Sequence, residues 1–201
     1  MTASPHCAVV CAAGAGTRMG TPKALCLLDS RSFLQSIVET LHHCRVQKIV
    51  VVVGAHADQV VRYHLERGLN DVTFVSNPRW QSTYMLESLL CGLQHVPPNY
   101  AVLHWPVDCV DVHPDDLNAL LARTEPLSSL VYDGVPAHPM RISPEAVQHL
   151  IQNVQTYSSL RDLVAHFGVT PVPTRYDALM NCNTPERLQE YVQNSLIRKV
   201  H

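Results

Sequence analysis

The residues with most chemical content lie in one short stretch, Gly14-Ala15-Gly16-Thr17-Arg18-Met19-Gly20-Thr21-Pro22-Lys23. Its three glycines allow positive φ and leave no side chains between the backbone N–H groups and a ligand. Successive N–H groups in such a turn form a nest for phosphate oxygens. Arg18 adds a planar two-pronged donor and Lys23 a point charge. A strong anion site results, with Gly14, Ala15, Gly16 and Thr17 supplying the cradle. A Walker loop would need Gly-x4-Gly-Lys-Ser/Thr, and the spacing fails. A dinucleotide fingerprint would need a third glycine where Met19 stands. A plain surface turn would give no reason for the Arg-Met-Gly-Thr-Pro-Lys continuation.

A second group of candidates lies far along the chain. Pro106-Val107-Asp108 closes the apolar run Tyr100–Trp105. Open α/β sheets bind ligands at the carboxyl ends of their strands, and a carboxylate there can hold Mg²⁺ between phosphate oxygens. Asp111 reads as a helix cap rather than a ligand. Asn181 and Asn183 flank Cys182 just before Thr184-Pro185. His138 stands in Ala137-His138-Pro139, where a surface turn histidine is the ordinary reading.

The elements that must carry these residues follow from hydrophobic periodicity. Cys7–Ala13 is a continuous apolar run stopped by Gly14, a buried strand that leads straight into the loop. Ile49–Val53 is a second such run, closed by Gly54. Val72–Val75 and Tyr100–Trp105 are read as further strands. Helix spacing appears in Ser32–Cys44, Ala57–Arg67, Ser82–His95 and Pro114–Arg123. This alternation predicts an α/β domain, with a mostly parallel sheet and helices on both faces. Later, Leu130–Tyr132 and Met140–Ile142 read as short strands joined by a Gly/Pro-rich link. Helices are expected at Pro144–Asn153 and Ser159–Phe167, and a last strand at Ala178–Cys182. Thr184 and Pro185 read as the cap and first residue of a C-terminal helix. No repeat or linker divides the chain, so residues 1–201 are expected to form one domain.

Composition narrows the partners. Of the 201 residues, 46% are hydrophobic and 16% charged, enough for a core and too few charges for disorder. The net charge of −2 gives no global reason to bind nucleic acid or an anionic membrane, so any anion site is local. No apolar run is long enough to span a bilayer, and the N-terminus lacks the basic region of a signal peptide. The seven cysteines show no CxxC pair and the twelve histidines no HExxH spacing. Reduced core thiols in a cytoplasmic setting are the expectation. Oligomeric state is not encoded legibly.

The segment Ala12-Ala13-Gly14-x-Gly16-x-Arg18-Met19-Gly20-x-Pro22-Lys23 resembles the N-terminal signature of the MobA-like nucleotidyltransferase superfamily, whose fold is GT-A-like and Rossmann-like. Cys11 stands in place of the family's leucine. The Ala-Ala-Gly form is similar to that of the molybdenum-cofactor cytidylyltransferases, whereas guanylyltransferase relatives more often carry Ala-Gly-Gly. Asn77-Pro78-Arg79-Trp80, Met85, Ser88-Leu89 and Gly92-Leu93 resemble a second family segment, with Tyr84 where glycine is usual. Tyr84 is therefore expected to narrow the nucleotide pocket. Pro106-x-Asp108 resembles the Mg²⁺-holding motif. Asn181-Cys182-Asn183-Thr184-Pro185 resembles Asp-x-Asp-Thr-Pro with both carboxylates replaced.

The resemblance implies transfer of a nucleoside monophosphate, CMP favoured, from a nucleoside triphosphate to a small phosphorylated acceptor such as the molybdopterin cofactor. Arg18, Lys23 and Asp108 would be catalytic. Ala12, Ala13, Gly14, Ala15, Gly16, Thr17, Gly54 and Ser88 would bind the nucleotide, His138 the acceptor, and Asp108 with Asn183 the Mg²⁺. Sugar- or polyol-phosphate transfer, and a non-catalytic nucleotide binder, are the competing readings. A nicotinamide oxidoreductase is disfavoured by Met19.

Overall fold

The computed structural model describes residues 4–132, 134–175 and 181–198. The apolar runs form one half of a seven-stranded sheet. These strands are β1 (His6–Ala12), β4 (Lys48–Val53), β5 (Thr73–Ser76) and β6 (Ala101–Pro106). β7 (Leu127–Tyr132) and β8 (Val135–Ile142) form a hairpin beside them, and β9 (Thr170–Pro173) closes the edge. A two-residue pair, β2 (Leu27–Leu28) and β3 (Arg31–Ser32), lies apart from the sheet. The strand order is β5-β4-β1-β6-β8-β7-β9, and β8 alone runs against its neighbours among the described residues.

Alternation along the strands divides the core between the two faces. Ala8 and Val10 of β1 join Val51, Leu103 and Trp105 on one face. Over them pack α1 (Phe33–His43), α2 (Ala57–Leu65), α4 (Pro114–Leu121) and α7 (Pro185–Arg198). Cys7 and Val9 join Val50, Val52 and Val102 on the other face. That face is covered by α3 (Met85–Leu93), α5 (Pro144–Gln152) and α6 (Leu160–Phe167). α3 lies tightly on β1, because a Cβ on Gly92 would fall 2.3 Å from Val9 Cγ1. The expected α/β class, mostly parallel with helices on both faces, is the observed one.

Helix ends follow local chemistry. Ser32 and Gln35 cap α1 reciprocally, and Ser143 Oγ accepts from Ala146 N at 3.2 Å to start α5. Thr184 Oγ1 accepts from Arg187 N at 3.4 Å at the start of α7. α4 departs from expectation. His113 Nδ1, not Asp111, takes the first-turn amide, from Asp115 N at 3.2 Å. Asp111 instead accepts a 2.5 Å hydrogen bond from Tyr191 Oη of α7.

Other boundaries also differ. The hairpin strands β7 and β8 are longer than their apolar segments suggest, because the paired strands carry Ser128, Ser129 and Pro136 into the ladder. β9 was not expected. It contains Pro171 and Pro173, which a sheet accepts only at an edge. α3 starts at Met85 rather than Ser82. Asn77 holds the preceding turn, accepting from Arg79 N at 3.0 Å and donating to Thr83 Oγ1 at 3.0 Å. Of the strand expected at Ala178–Cys182, Ala178 to Met180 lie outside the described residues, and Asn181 and Cys182 are irregular.

Candidate active site

The sheet has a switch point between β1 and β6. After β1 the chain turns toward β4, and from β5 it crosses back to β6. The connections following β1 and β6 therefore diverge and leave a crevice at their carboxyl ends. Both candidate loops open into it.

The loop after β1 is shaped by its glycines and one buried anchor. Gly16 has φ +65°, and a Cβ there would meet Thr21 O at 2.6 Å. Met19 N donates to Gly16 O at 2.8 Å and Gly20 N to Thr17 O at 3.3 Å, making a single 3-10 turn. The Met19 side chain is buried beneath that turn. His56 Nε2 lies 3.2 Å from Ala15 O and ties the loop to the start of α2. Among the described residues no hydrogen bond occupies the amides of Ala15 through Arg18. They are free to bind an anion.

The loop after β6 is held from beneath. Trp105 is fully buried, and its indole Nε1 donates to Cys109 O at 2.6 Å. Cys109 N returns to Pro106 O at 3.0 Å, and Val107 N donates to Cys11 O at 3.1 Å. This turn holds Asp108 at the mouth of the crevice with its side chain 15% exposed. The main chain of Asp108 also fixes a third segment, since Cys182 N donates to Asp108 O at 2.9 Å. Asn181 takes φ +52°, a conformation that asparagine tolerates, and Asn183 Nδ2 donates to Asn181 O at 2.9 Å.

Lys23 joins the three segments. Its Nζ lies 2.8 Å from Asp108 Oδ2 and donates to Asn183 Oδ1. The cleft above has a volume of about 170 Å³. It is lined by Cys11, Ala12, Gly14, Gly16, Thr17, Arg18, Lys23, Met85, Pro106, Val107 and Asp108. Arg18 is exposed at its rim.

The remaining candidates lie outside this lining. Gly54 packs against Ala13 and Trp80, where a Cβ would fall 2.4 Å from Ala13 O and 2.8 Å from Trp80 Cβ. Only glycine lets the two strand ends approach so closely. Ser88 is buried, and its hydroxyl accepts from Asn77 Nδ2 at 3.2 Å, so it braces the Asn77 turn rather than facing the cleft. Tyr84 does not narrow the cleft. The residue is 78% exposed, while Met85 beside it takes the lining position. His138 on β8 stacks edge-on against His104 of β6, with ring centroids 5.0 Å apart. Burial pushes the His138 imidazole below its usual range and the Asp108 carboxylate pulls it back up.

The thiols nearest the cleft are shielded by burial. Burial pushes Cys11 and Cys109 up to about 12 and Cys182 up to about 11, so all three stay protonated near neutrality. Sequence reasoning missed the supports: Trp105, His56 and the amide of Cys182. Only Trp105 left a signal, as a tryptophan directly before Pro106-Val107-Asp108.

The donor set suits a small hard cation. Asp108 offers a carboxylate and Asn183 an amide carbonyl, and their oxygens already converge on one positive charge. Mg²⁺ takes one or two protein carboxylates and completes its shell with water and substrate phosphates. Among the described residues no cluster of three or more His, Cys, Asp or Glu forms a self-sufficient metal cage.

A glycine-rich anion loop and a lone carboxylate at the switch point of a mostly parallel sheet define a nucleotidyltransferase-type α/β fold. The chain belongs to the MobA-like NTP transferase domain family, whose model matches residues 8–172. It is 29% identical over 163 residues to the 2-C-methyl-D-erythritol 4-phosphate cytidylyltransferase of Yersinia pestis, covering 78% of this chain and 63% of that protein. It is 40% identical over 76 residues to the bifunctional protein GlmU of Caulobacter vibrioides, covering 37% of this chain and 16% of that protein. The chain thus spans less than two thirds of either relative. A nucleotidyl transferase structure from Methanothermobacter shares the fold with a TM-score of 0.78 at 19% identity, over 96% of this chain and 99% of that one. The cytidylyltransferase among these relatives is a 2-C-methyl-D-erythritol 4-phosphate enzyme.

Proposed function

We propose that this chain, as one domain, transfers a nucleoside monophosphate from a nucleoside triphosphate to a small phosphorylated acceptor and releases pyrophosphate. The observation that carries this reading is the meeting of Lys23, Asp108 and Asn183 beside the free amides of Ala15–Arg18. An acceptor phosphate oxygen attacks the α-phosphorus in line, and the bond to the pyrophosphate oxygen breaks. Such chemistry needs positioning and charge stabilisation more than a protein nucleophile. The amides of Ala15–Arg18 hold the β- and γ-phosphates, while Arg18 and Lys23 balance the charge that grows on the leaving pyrophosphate. Asp108 and Asn183 would hold Mg²⁺, which when bound neutralises phosphate charge. Ala12, Ala13 and Gly54 offer the base backbone contacts, and Ser88 acts behind them through Asn77.

CMP is the favoured donor group, supported by the Ala12-Ala13-Gly14 form and by the cytidylyltransferase relative. For the acceptor, the names of the relatives favour a sugar- or polyol-phosphate, and the loop motif is equally compatible with a molybdopterin cofactor. His138 is the acceptor-side candidate. Seven unpaired thiols support a reducing, cytoplasmic setting. No helix among the described residues is long and apolar enough to cross a membrane.

Asn at both 181 and 183 favours a second reading, a nucleotide binder without turnover. The deciding experiment measures pyrophosphate release with Mg²⁺, each of the four nucleoside triphosphates and a panel of phosphorylated acceptors, beside Asp108→Ala. Acceptor-dependent release that the substitution abolishes supports the transferase. Calorimetric triphosphate binding without release supports the binder.

A further inference from the structure

Lys23 Nζ occupies the point on which Asp108 Oδ2 and Asn183 Oδ1 converge. Those two oxygens are the same ones assigned above to Mg²⁺. We infer that Lys23 is an internal competitor for the divalent cation. In the unliganded protein its ammonium fills the cation position, and the metal enters only when a nucleotide draws Lys23 away. This rests on the transferase reading of the site.

The argument is one of charge and tethering. The site brings a single carboxylate, because Asn181 and Asn183 contribute no charge. One negative charge satisfies either Lys23 or a metal, and it cannot fully compensate both. The ammonium is attached to the chain and held at 2.8 Å with 22% of its side chain exposed. A tethered group competes at a high effective concentration, of the order of millimolar or above. Free Mg²⁺ must also shed part of a tightly held water shell to enter. Two neutral or singly charged oxygens give it little return for that.

A triphosphate changes the balance. Its β- and γ-oxygens bind the amides of Ala15–Arg18 and offer Lys23 a denser negative charge across the cleft. Once the ammonium turns to the phosphates, Asp108 Oδ2 and Asn183 Oδ1 are released together, and the phosphates supply the anionic oxygens that the protein lacks. Metal and nucleotide therefore bind with positive coupling, and linkage requires each to tighten the other by the same factor. Lys23 thus has two successive partners: the carboxylate before the nucleotide arrives, and the phosphates afterwards.

The test uses Mn²⁺ as probe and electron paramagnetic resonance of the free ion as readout, with no nucleotide present. Wild type is compared with Lys23→Met, Lys23→Gln and the double variant Lys23→Met/Asp108→Asn. Circular dichroism confirms folding, and Lys23→Gln serves if Lys23→Met does not fold. The expected result is at least tenfold tighter Mn²⁺ binding on removal of the ammonium, and loss of that gain in the double variant. Equal Mn²⁺ affinity in wild type and both single variants overturns the inference, as does tighter binding that survives Asp108→Asn. Pyrophosphate release by the wild type is measured on the same preparation. Unchanged Mn²⁺ affinity alongside Asp108-dependent release ends the competitor and leaves the transferase standing. Tightened Mn²⁺ binding without release under any nucleotide does the reverse.

Discussion

Trp105 Nε1 donates to Cys109 O across 2.6 Å, and the turn between these residues presents Asp108 to the cleft. Trp105 is fully buried and Cys109 is 1% exposed, so no solvent can replace the bond. Trp105→Phe keeps most of the aromatic bulk and removes the donor. An unsatisfied buried carbonyl costs about 1–3 kcal/mol, so the denaturation midpoint should fall by that equivalent. Asp108 should also become less well placed. Steady-state kinetics should show a lowered kcat with a nearly unchanged KM for the nucleotide. A drop in stability with kcat intact would show that the bond supports the fold alone.

Removing either charge at the centre should act on turnover. Lys23→Ala and Asp108→Ala are each expected to cut pyrophosphate release roughly 10²–10³-fold, the range seen when a positioned charge or donor is lost at a transition state. Because the two side chains are paired at 2.8 Å, their effects should be strongly non-additive in a double-mutant cycle. Additive losses would separate the two residues functionally.

Gly16 and Gly20 distinguish backbone conformation from space. Both have positive φ, at +65° and +69°, but only at Gly16 would a Cβ strike backbone, 2.6 Å from Thr21 O. Gly20→Ala should cost about 1 kcal/mol from left-handed strain alone. Gly16→Ala should cost more and deform the amide cradle, with triphosphate affinity by calorimetry reduced at least tenfold against Gly20→Ala. Equal affinities would mean that the Gly16 turn does not shape the anion site.

Acid should destabilise the fold through buried neutral histidines. Burial and the Arg141 guanidinium push His6 down to about 4, and burial lowers His64 and His104. Arg141 Nε donates to His6 Nε2 at 3.3 Å, which requires that ring nitrogen to be unprotonated, while His64 is disfavoured as a cation by burial. A histidine with a lowered folded pKa gives its full stability above the unfolded value of about 6.5 and loses it as pH falls below that value. Thermal unfolding monitored between pH 7 and pH 4 should show a progressive fall, on the order of 3 kcal/mol from His6 alone at about 1.4 kcal/mol per unit. His6→Gln should flatten the lower part of that profile. A midpoint independent of pH across this window would contradict the neutral-histidine account.

Much of the scaffold was legible because its signals are local. A β-branched run such as Ile49–Val53 closed by glycine reads as a buried strand, and the apolar spacing of Ser32–Cys44 reads as a helix, without reference to anything distant. The loop Gly14–Lys23 was legible for the same reason, since glycines and cations within a few residues define an anion cradle by themselves. β9 was not, because Pro171 and Pro173 speak against a strand until an edge position beside β7 makes their missing donors harmless. The cap of α4 was misassigned to Asp111 because the choice between two neighbouring acceptors depends on Tyr191, 80 residues away.

The composition of the cleft was a tertiary decision. Lys23 meets Asp108 and Asn183 across 85 and 160 residues of chain, and no spacing rule links them. What brings them together is the crossing of the sheet between β1 and β6, together with the amide of Cys182 on the Asp108 carbonyl. Ser88 and Tyr84 show the same limit from the other side. Their place in a motif does not tell whether a side chain turns inward to Asn77 or outward to water. By itself the sequence determined the strands, the helices and the phosphate-type loop, since each is encoded by neighbours a few residues apart. Which distant side chains face one another was left to packing, because those contacts exist only once the apolar faces of the sheet are covered.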